Sequence, residues 1–152
     1  MTIRHLSLTT LLWTVTSLAI MAPALANAPV SITVATHTTL NEKDAKRLAK
    51  VEGMPQVETQ LAAALAKAGA TGISVRVEVD EFRLRTQKQI SWGGLASGGD
   101  YIGAQVIITP EGGQPSTRKA KGALVTGSIA GKEPKRLAKI VEGLVADIVA
   151  GL

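Results

Sequence analysis

Apolar residues recur at every second position in some stretches of this chain and at every third or fourth in others. The two periods set out its elements in order. Val30, Ile32 and Val34 alternate with Ser31 and Thr33, the pattern of a half-buried strand. Residues 41–52 then read as a helix, interrupted by Gly53-Met54-Pro55, where Pro55 suits the opening of a fresh helix because its missing N–H costs nothing there. Val57, Leu61, Leu65 and Ala68 continue that helix to Gly69, a residue fitted to a left-handed cap. Next, Ile73, Val75, Val77 and Val79 alternate with Ser74, Arg76, Glu78 and Asp80. The phase slips before Phe82 and Leu84, which predicts a bulge around Asp80 and Glu81. Charges of both signs on the polar side imply a wet sheet face and antiparallel neighbours. Ile102, Ala104, Val106 and Ile108 mark another strand, Pro110-Glu111-Gly112-Gly113 a turn, and residues 117–126 a weaker return strand. A last helix opens at Pro134 and presents Leu137, Ile140, Val141, Leu144, Val145 and Ile148 on one wide face. The order β-α-β-β-β-α predicts an α+β, two-layer fold with a mostly antiparallel sheet and helices packed on one face. Its core should set Leu61, Leu65, Leu144 and Ile148 against Val75, Val77 and Val106.

The first 26 of the 152 residues carry a different pattern. Arg4 and His5 precede an apolar, hydroxyl-containing run over residues 6–20, and Ala24-Leu25-Ala26 supplies the small residues that a signal peptidase reads. The run is shorter than the ~20 residues of a membrane-spanning helix. The expectation is a signal peptide over 1–26, cleaved after Ala26, and a single α+β periplasmic domain over 27–152 with no transmembrane span after processing. The chain has no cysteine, which excludes disulfides, thiolate metal sites, a cysteine nucleophile and a lipid-modified cysteine.

The signal, the helix with Leu61 and Leu65 ending at Gly69, the long strand through Leu84, and Asp100-Tyr101-Ile102-Gly103-Ala104 before a closing amphipathic helix resemble a group of uncharacterised bacterial exported proteins, many of them lipoproteins. The coarse fold is also similar to the amino-terminal domain of TolB and to envelope transport accessory lipoproteins. The resemblance implies a small α/β domain of the cell envelope. It carries no catalytic residue onto this chain.

Candidate chemistry is sparse. His37, the one histidine after residue 26, lies among Thr36, Thr38 and Thr39 and reads as a loop residue; no serine occupies a Gly-x-Ser-x-Gly elbow. The twelve acids show no Asp-x-Asp-x-Asp spacing, so no metal site is expected. Gly127-Ser128-Ile129-Ala130-Gly131-Lys132-Glu133 imitates a phosphate loop, but its first glycine is one place too close and Glu133 replaces the hydroxyl residue. Glu78, Asp80 and Glu81 lie near Arg76, Arg83 and Arg85, as expected of cross-strand ion pairs. Aromatic residues make up 3 % of the chain and the net charge is +5, which argues against stacked nucleic acid. No cofactor is expected. The composition points to a non-enzymatic binding or accessory protein of the envelope. Two alternatives are a subunit of an envelope oligomer or transport assembly and a carboxylate-dependent hydrolase.

Two features stand out as contact candidates. Lys43-Asp44-Ala45-Lys46-Arg47-Leu48-Ala49-Lys50 recurs as Lys132-Glu133-Pro134-Lys135-Arg136-Leu137-Ala138-Lys139. Lys43, Lys46, Arg47 and Lys50 share one helix face, and Lys132, Lys135, Arg136 and Lys139 share another. Cations near a helix start oppose its dipole. Local stability therefore does not explain these stripes, and an anionic envelope surface or an acidic protein partner would. Trp92 opens a glycine-rich loop, with Gly93, Gly94, Gly98 and Gly99 around Leu95-Ala96-Ser97, and is a candidate anchor for a partner or lipid interface.

Overall fold

The longest alternating stretch becomes one of two central strands. In the computed structural model, which describes residues 28–93, 98–124 and 132–152, β1 (Ser31–Thr36) leads through α1 (Glu42–Lys50) and α2 (Gly53–Lys67) to β2 (Ile73–Arg83). A short α3 (Gln87–Gly93) precedes β3 (Asp100–Pro110), β4 (Ser116–Leu124) and α4 (Glu133–Ala150). The sheet runs β1-β2-β3-β4, with β1 parallel to β2 and the other pairs antiparallel. The fold is α+β with a mostly antiparallel sheet and helices packed against it, as the periodicity requires. The signal-like segment and the phosphate-loop imitation up to Gly131 lie outside the described residues, as do the central residues of the glycine-rich loop.

Two details depart from the sequence reading. A separate helix, α3, follows β2 over residues to which the pattern assigns no element, and it takes in Trp92, expected in the glycine-rich loop. Its first turn is closed by Thr86 and Gln89: the Thr86 N–H donates to Gln89 Oε1 at 2.8 Å, and the Gln89 N–H donates to Thr86 Oγ1 at 3.3 Å. The break between α1 and α2 falls at Val51 and Glu52, so Pro55 is the third residue of α2 and not its first. Glu52 takes a left-handed backbone at φ 55°, and a side chain on Gly53 would collide with Leu48. The return strand is described as far as Leu124, and the last two residues of its expected range lie outside the described residues.

The phase slip in β2 is a register shift between Val79 and Glu81. It keeps Val75, Val77 and Val79 and then Phe82 and Leu84 on the covered side, all buried. Leu61, Leu65, Leu144 and Ile148 meet them there together with Val106, so the expected core forms. Helix α4 lies against β3 and β4, α2 against β1 and α4, and α1 against α2 and β2. At Gly122 on β4, any Cβ would strike the α4 backbone at Ile140 and Leu144, and Gly143 faces it from the helix. The opposite face stays wet. There Glu81 on β2 and Lys121 on β4 flank Gly103 on β3, and with no side chain between them they form an ion pair at 3.3 Å.

Candidate functional site: a basic cleft beside α1

Helix α1 is fixed at its start by Asn41, whose Oδ1 accepts from the Asp44 N–H at 2.9 Å while its Nδ2 donates to Asp44 Oδ2 at 2.6 Å. With Leu48 buried beneath it, α1 turns Lys43, Lys46 and Lys50 to solvent and leaves Arg47 half-buried. A cleft of about 590 Å³ runs between this helix and the end of β2. Lys43, Lys46, Arg47 and Lys50 line it from α1, and Arg83 and Arg85 from the strand side, over an apolar floor of Phe82 and Leu84. Thr86, Gln89 and Tyr101 complete the wall, and Asp44 is the one acidic residue in it.

Beneath the cleft the charge is organised by a buried carboxylate. Asp100 is fully buried; its Oδ1 accepts from the backbone N–H and the Nε of Arg85 at 2.9 and 3.0 Å, and its Oδ2 accepts from Arg136 Nε at 2.7 Å. Arg136 also donates from its Nη2 to the Arg85 carbonyl. Burial pushes the Asp100 carboxyl up. The Arg85 backbone N–H and the two guanidinium groups outweigh it and hold the carboxyl below its ordinary value. One carboxylate thus joins the end of β2, the start of β3 and the start of α4.

The two repeated segments meet here, because Arg47 donates to Glu133 Oε1 at 2.6 Å. A smaller cavity of about 300 Å³, lined by Lys50, Val51, Gln56, Glu133, Pro134 and Leu137, marks the junction of α1, α2 and α4. Lys132, Lys135 and Lys139 are exposed as expected. Arg136 is not. It is 1 % exposed and bound to Asp100, so it belongs to the interior and leaves the second stripe with lysines alone. Within the first stripe, Lys46 pairs with Glu42 at 2.6 Å on open surface, a contact of little energetic weight. Lys43 and Lys50 have no ion pair among the described residues.

Trp92 stands 84 % exposed on α3, three residues after Gln89 of the cleft wall. Elsewhere, His37 is partly buried and not an open loop residue: its Nδ1 accepts from the Thr39 N–H at 3.2 Å and meets Thr39 Oγ1 at 2.8 Å, with Nε2 3.9 Å from Glu78. Glu78, Asp80 and Glu81 pair with Arg76, Lys119 and Lys121, so the carboxylates are engaged on the wet face. Among the described residues no group of three His, Cys, Asp or Glu side chains converges as a metal site would require, and no helix is long and apolar enough to cross a membrane.

Sequence reasoning missed Asp100 and Arg85 and misplaced Arg136. For two of them a signal existed. Asp100 is in phase with Ile102, Ala104, Val106 and Ile108, so period two places it on the covered face. Arg136 lies four residues before Ile140, one turn back along the apolar face of α4. Arg85 lies beyond the end of β2, outside the strand's alternation.

No protein-family model matches the chain, and no curated protein matches it. Among solved structures it is similar to dodecameric PelC from Paraburkholderia phytofirmans, with 16 % identity over 86 % of this chain and 92 % of that one, at TM-score 0.43. A variant of PelC in another crystal form gives 15 % identity and TM-score 0.46, covering 86 % and 91 % of the two chains. The hypothetical protein CT253 from Chlamydia trachomatis is similar over 83 % of this chain and 95 % of its own, with 14 % identity and TM-score 0.43.

Proposed function

We propose that this chain is exported, loses residues 1–26, and serves as a non-catalytic binding or accessory protein of the bacterial cell envelope that holds an anionic group in the cleft beside α1. The observation that carries this reading is the composition of the cleft wall, which holds six cationic side chains and one acid, with Lys43 and Lys50 exposed and in no ion pair among the described residues. Cations gathered in a concave, partly apolar wall raise the local concentration of anions. The Asp100 cluster fixes Arg85 below, so that side of the site is preorganised, while the lysines of α1 can adapt. Export rests on the three-part pattern ending at Ala26, and N-terminal sequencing of protein released by osmotic shock should read Asn27 first; intact Met1 would overturn it.

Binding is tested by adding inorganic phosphate to the isotope-labelled chain from Asn27 on, which contains every described element, and following amide resonances. Shifts should concentrate at residues 43–50 and 82–86 and disappear in Lys43→Glu/Lys46→Glu/Lys50→Glu. Scattered shifts, or the same shifts in the variant, would refute the site.

A second reading, assembly into an envelope oligomer, has one feature in its favour. A shallow groove between α2 and α4 exposes Ala63, Ala68, Ala146 and Ala150 with parts of Val149. Light scattering decides it: a monomeric mass at high concentration removes this reading.

A further inference from the structure

We infer that the anion held by the cleft is the headgroup of an anionic lipid, and that Trp92 enters the bilayer beside it. The inference rests on the proposed anion-binding role of the cleft and names its ligand. Two independent observations converge on it. The first is the charge of the wall, where Lys43, Lys46 and Lys50 are all exposed on one side of α1. The second is Trp92, the one large aromatic side chain that the described surface leaves open, at 84 % exposure.

Their placement is what joins them. Thr86 and Gln89 belong both to the cleft wall and to the first turn of α3, and Trp92 follows Gln89 by three residues, on the same side of that helix. An indole so exposed gains nothing from the fold. At a membrane interface its ring is buried among acyl chains while its N–H stays hydrated, an arrangement that tryptophan favours. Lys88, also exposed, lies four residues before Trp92 and adds a further cation to that helix. A small soluble anion would account for the lysines and leave the indole unexplained; a charged bilayer surface uses both.

The magnitudes are sufficient. Each basic residue near an anionic surface strengthens partitioning roughly five-fold. The three lysines of α1 together therefore give on the order of a hundred-fold preference for anionic over neutral vesicles. Such attraction falls as the Debye length shortens with added salt. The indole contribution should survive salt, because it comes from removing apolar surface from water.

Trp92 is the only tryptophan after residue 26, so its fluorescence reports its own environment. The chain from Asn27 on should co-sediment with vesicles containing phosphatidylglycerol at low salt and not with phosphatidylcholine alone, and its emission should shift to the blue on binding. Lys43→Glu/Lys46→Glu/Lys50→Glu should lose binding. Trp92→Ala should bind roughly ten-fold more weakly with the same salt dependence. Thermal unfolding of both variants confirms that they remain folded. Equal binding by Trp92→Ala and wild type, unchanged emission on binding, or no co-sedimentation at low salt would each overturn the inference. If phosphate still shifts the cleft amides in the last case, the anion site stands without the lipid; if it does not, both readings fall. Binding to polyglutamate in place of vesicles would overturn it in favour of an acidic protein partner.

Discussion

Arg136 in the first turn of α4 donates from Nε to Asp100 Oδ2 at 2.7 Å, across 36 residues of sequence, with both side chains almost wholly removed from water. Arg85 holds the other oxygen of the same carboxylate. Taking ions out of water is costly, and good geometry with charge-assisted hydrogen bonds is what offsets the cost. The relationship also fixes the strand side of the basic cleft, since Arg85 belongs to both. Stability and the proposed binding site therefore share one carboxylate.

Asp100→Asn keeps the shape of the side chain and removes its charge, leaving Arg85 and Arg136 without their buried counterion. Breaking a buried pair in this way costs about 3–5 kcal/mol. Urea unfolding should show the midpoint fall with little change in slope. A variant as stable as wild type would mean that the cluster contributes nothing to the fold.

The same carboxyl sets the acid behaviour. Its value in the fold lies below the ordinary one, so the folded state binds that proton less readily than the unfolded chain. Its stabilising contribution is complete above the ordinary carboxylate range, ~3.9, and is lost as pH falls through the lower value of the fold. Unfolding free energy measured from pH 6 downward should therefore decline more steeply in wild type than in Asp100→Asn. Parallel curves would remove Asp100 from the acid transition.

What the sequence reveals and what it conceals can be seen at these same residues. The strand through Ile73–Arg83 was legible to the bulge, because alternation and its slip are local and the sheet follows them. The core was legible for the same reason. Helix α3 was not seen, although Thr86-Gln87-Lys88-Gln89 is a capping box, because no apolar period follows it. The basic spacing assigns Arg136 to the surface, but its place on the apolar stripe of α4 decides its burial. The repeat is visible in the sequence, but the contact between its copies is not. Leu48 and Leu137 are both buried and the six lysines are all exposed, while each arginine is bound by a carboxylate far off in sequence. No spacing rule reaches that far.

Gly122 gives a purely steric prediction. A methyl group there has no room against the carbonyl of Ile140, and the obstacle is helix backbone, which cannot rotate away. Gly122→Ala should lower stability by about 1–3 kcal/mol or more, as overpacking does. Gly112, in a turn at φ 69° with open space around it, supplies the comparison. Gly112→Ala introduces backbone strain alone and should cost about 1 kcal/mol. Thermal melts of the two variants check the order, and equal losses would show that α4 can shift away from β4.

The two arginines of the repeat give the last prediction, because the same residue in the same local sequence meets two environments. Arg47 and Glu133 are 24 % and 31 % exposed, so water already competes for their 2.6 Å contact. Such a pair is worth about 1 kcal/mol or less. Arg136 and Asp100 have no such competition, at 1 % and 0 % exposure. Arg136→Ala removes a buried cation and leaves a carboxylate oxygen unmatched beside Arg85, a loss of about 3–5 kcal/mol. Arg47→Ala also removes a cation from the cleft wall, so it should weaken phosphate binding while barely moving the melting temperature. Chemical unfolding and the phosphate titration, run on both variants, separate the roles. If Arg47→Ala proved the more destabilising of the two, burial would not be what distinguishes the copies, and the joint between the two helix openings would be the stronger contact.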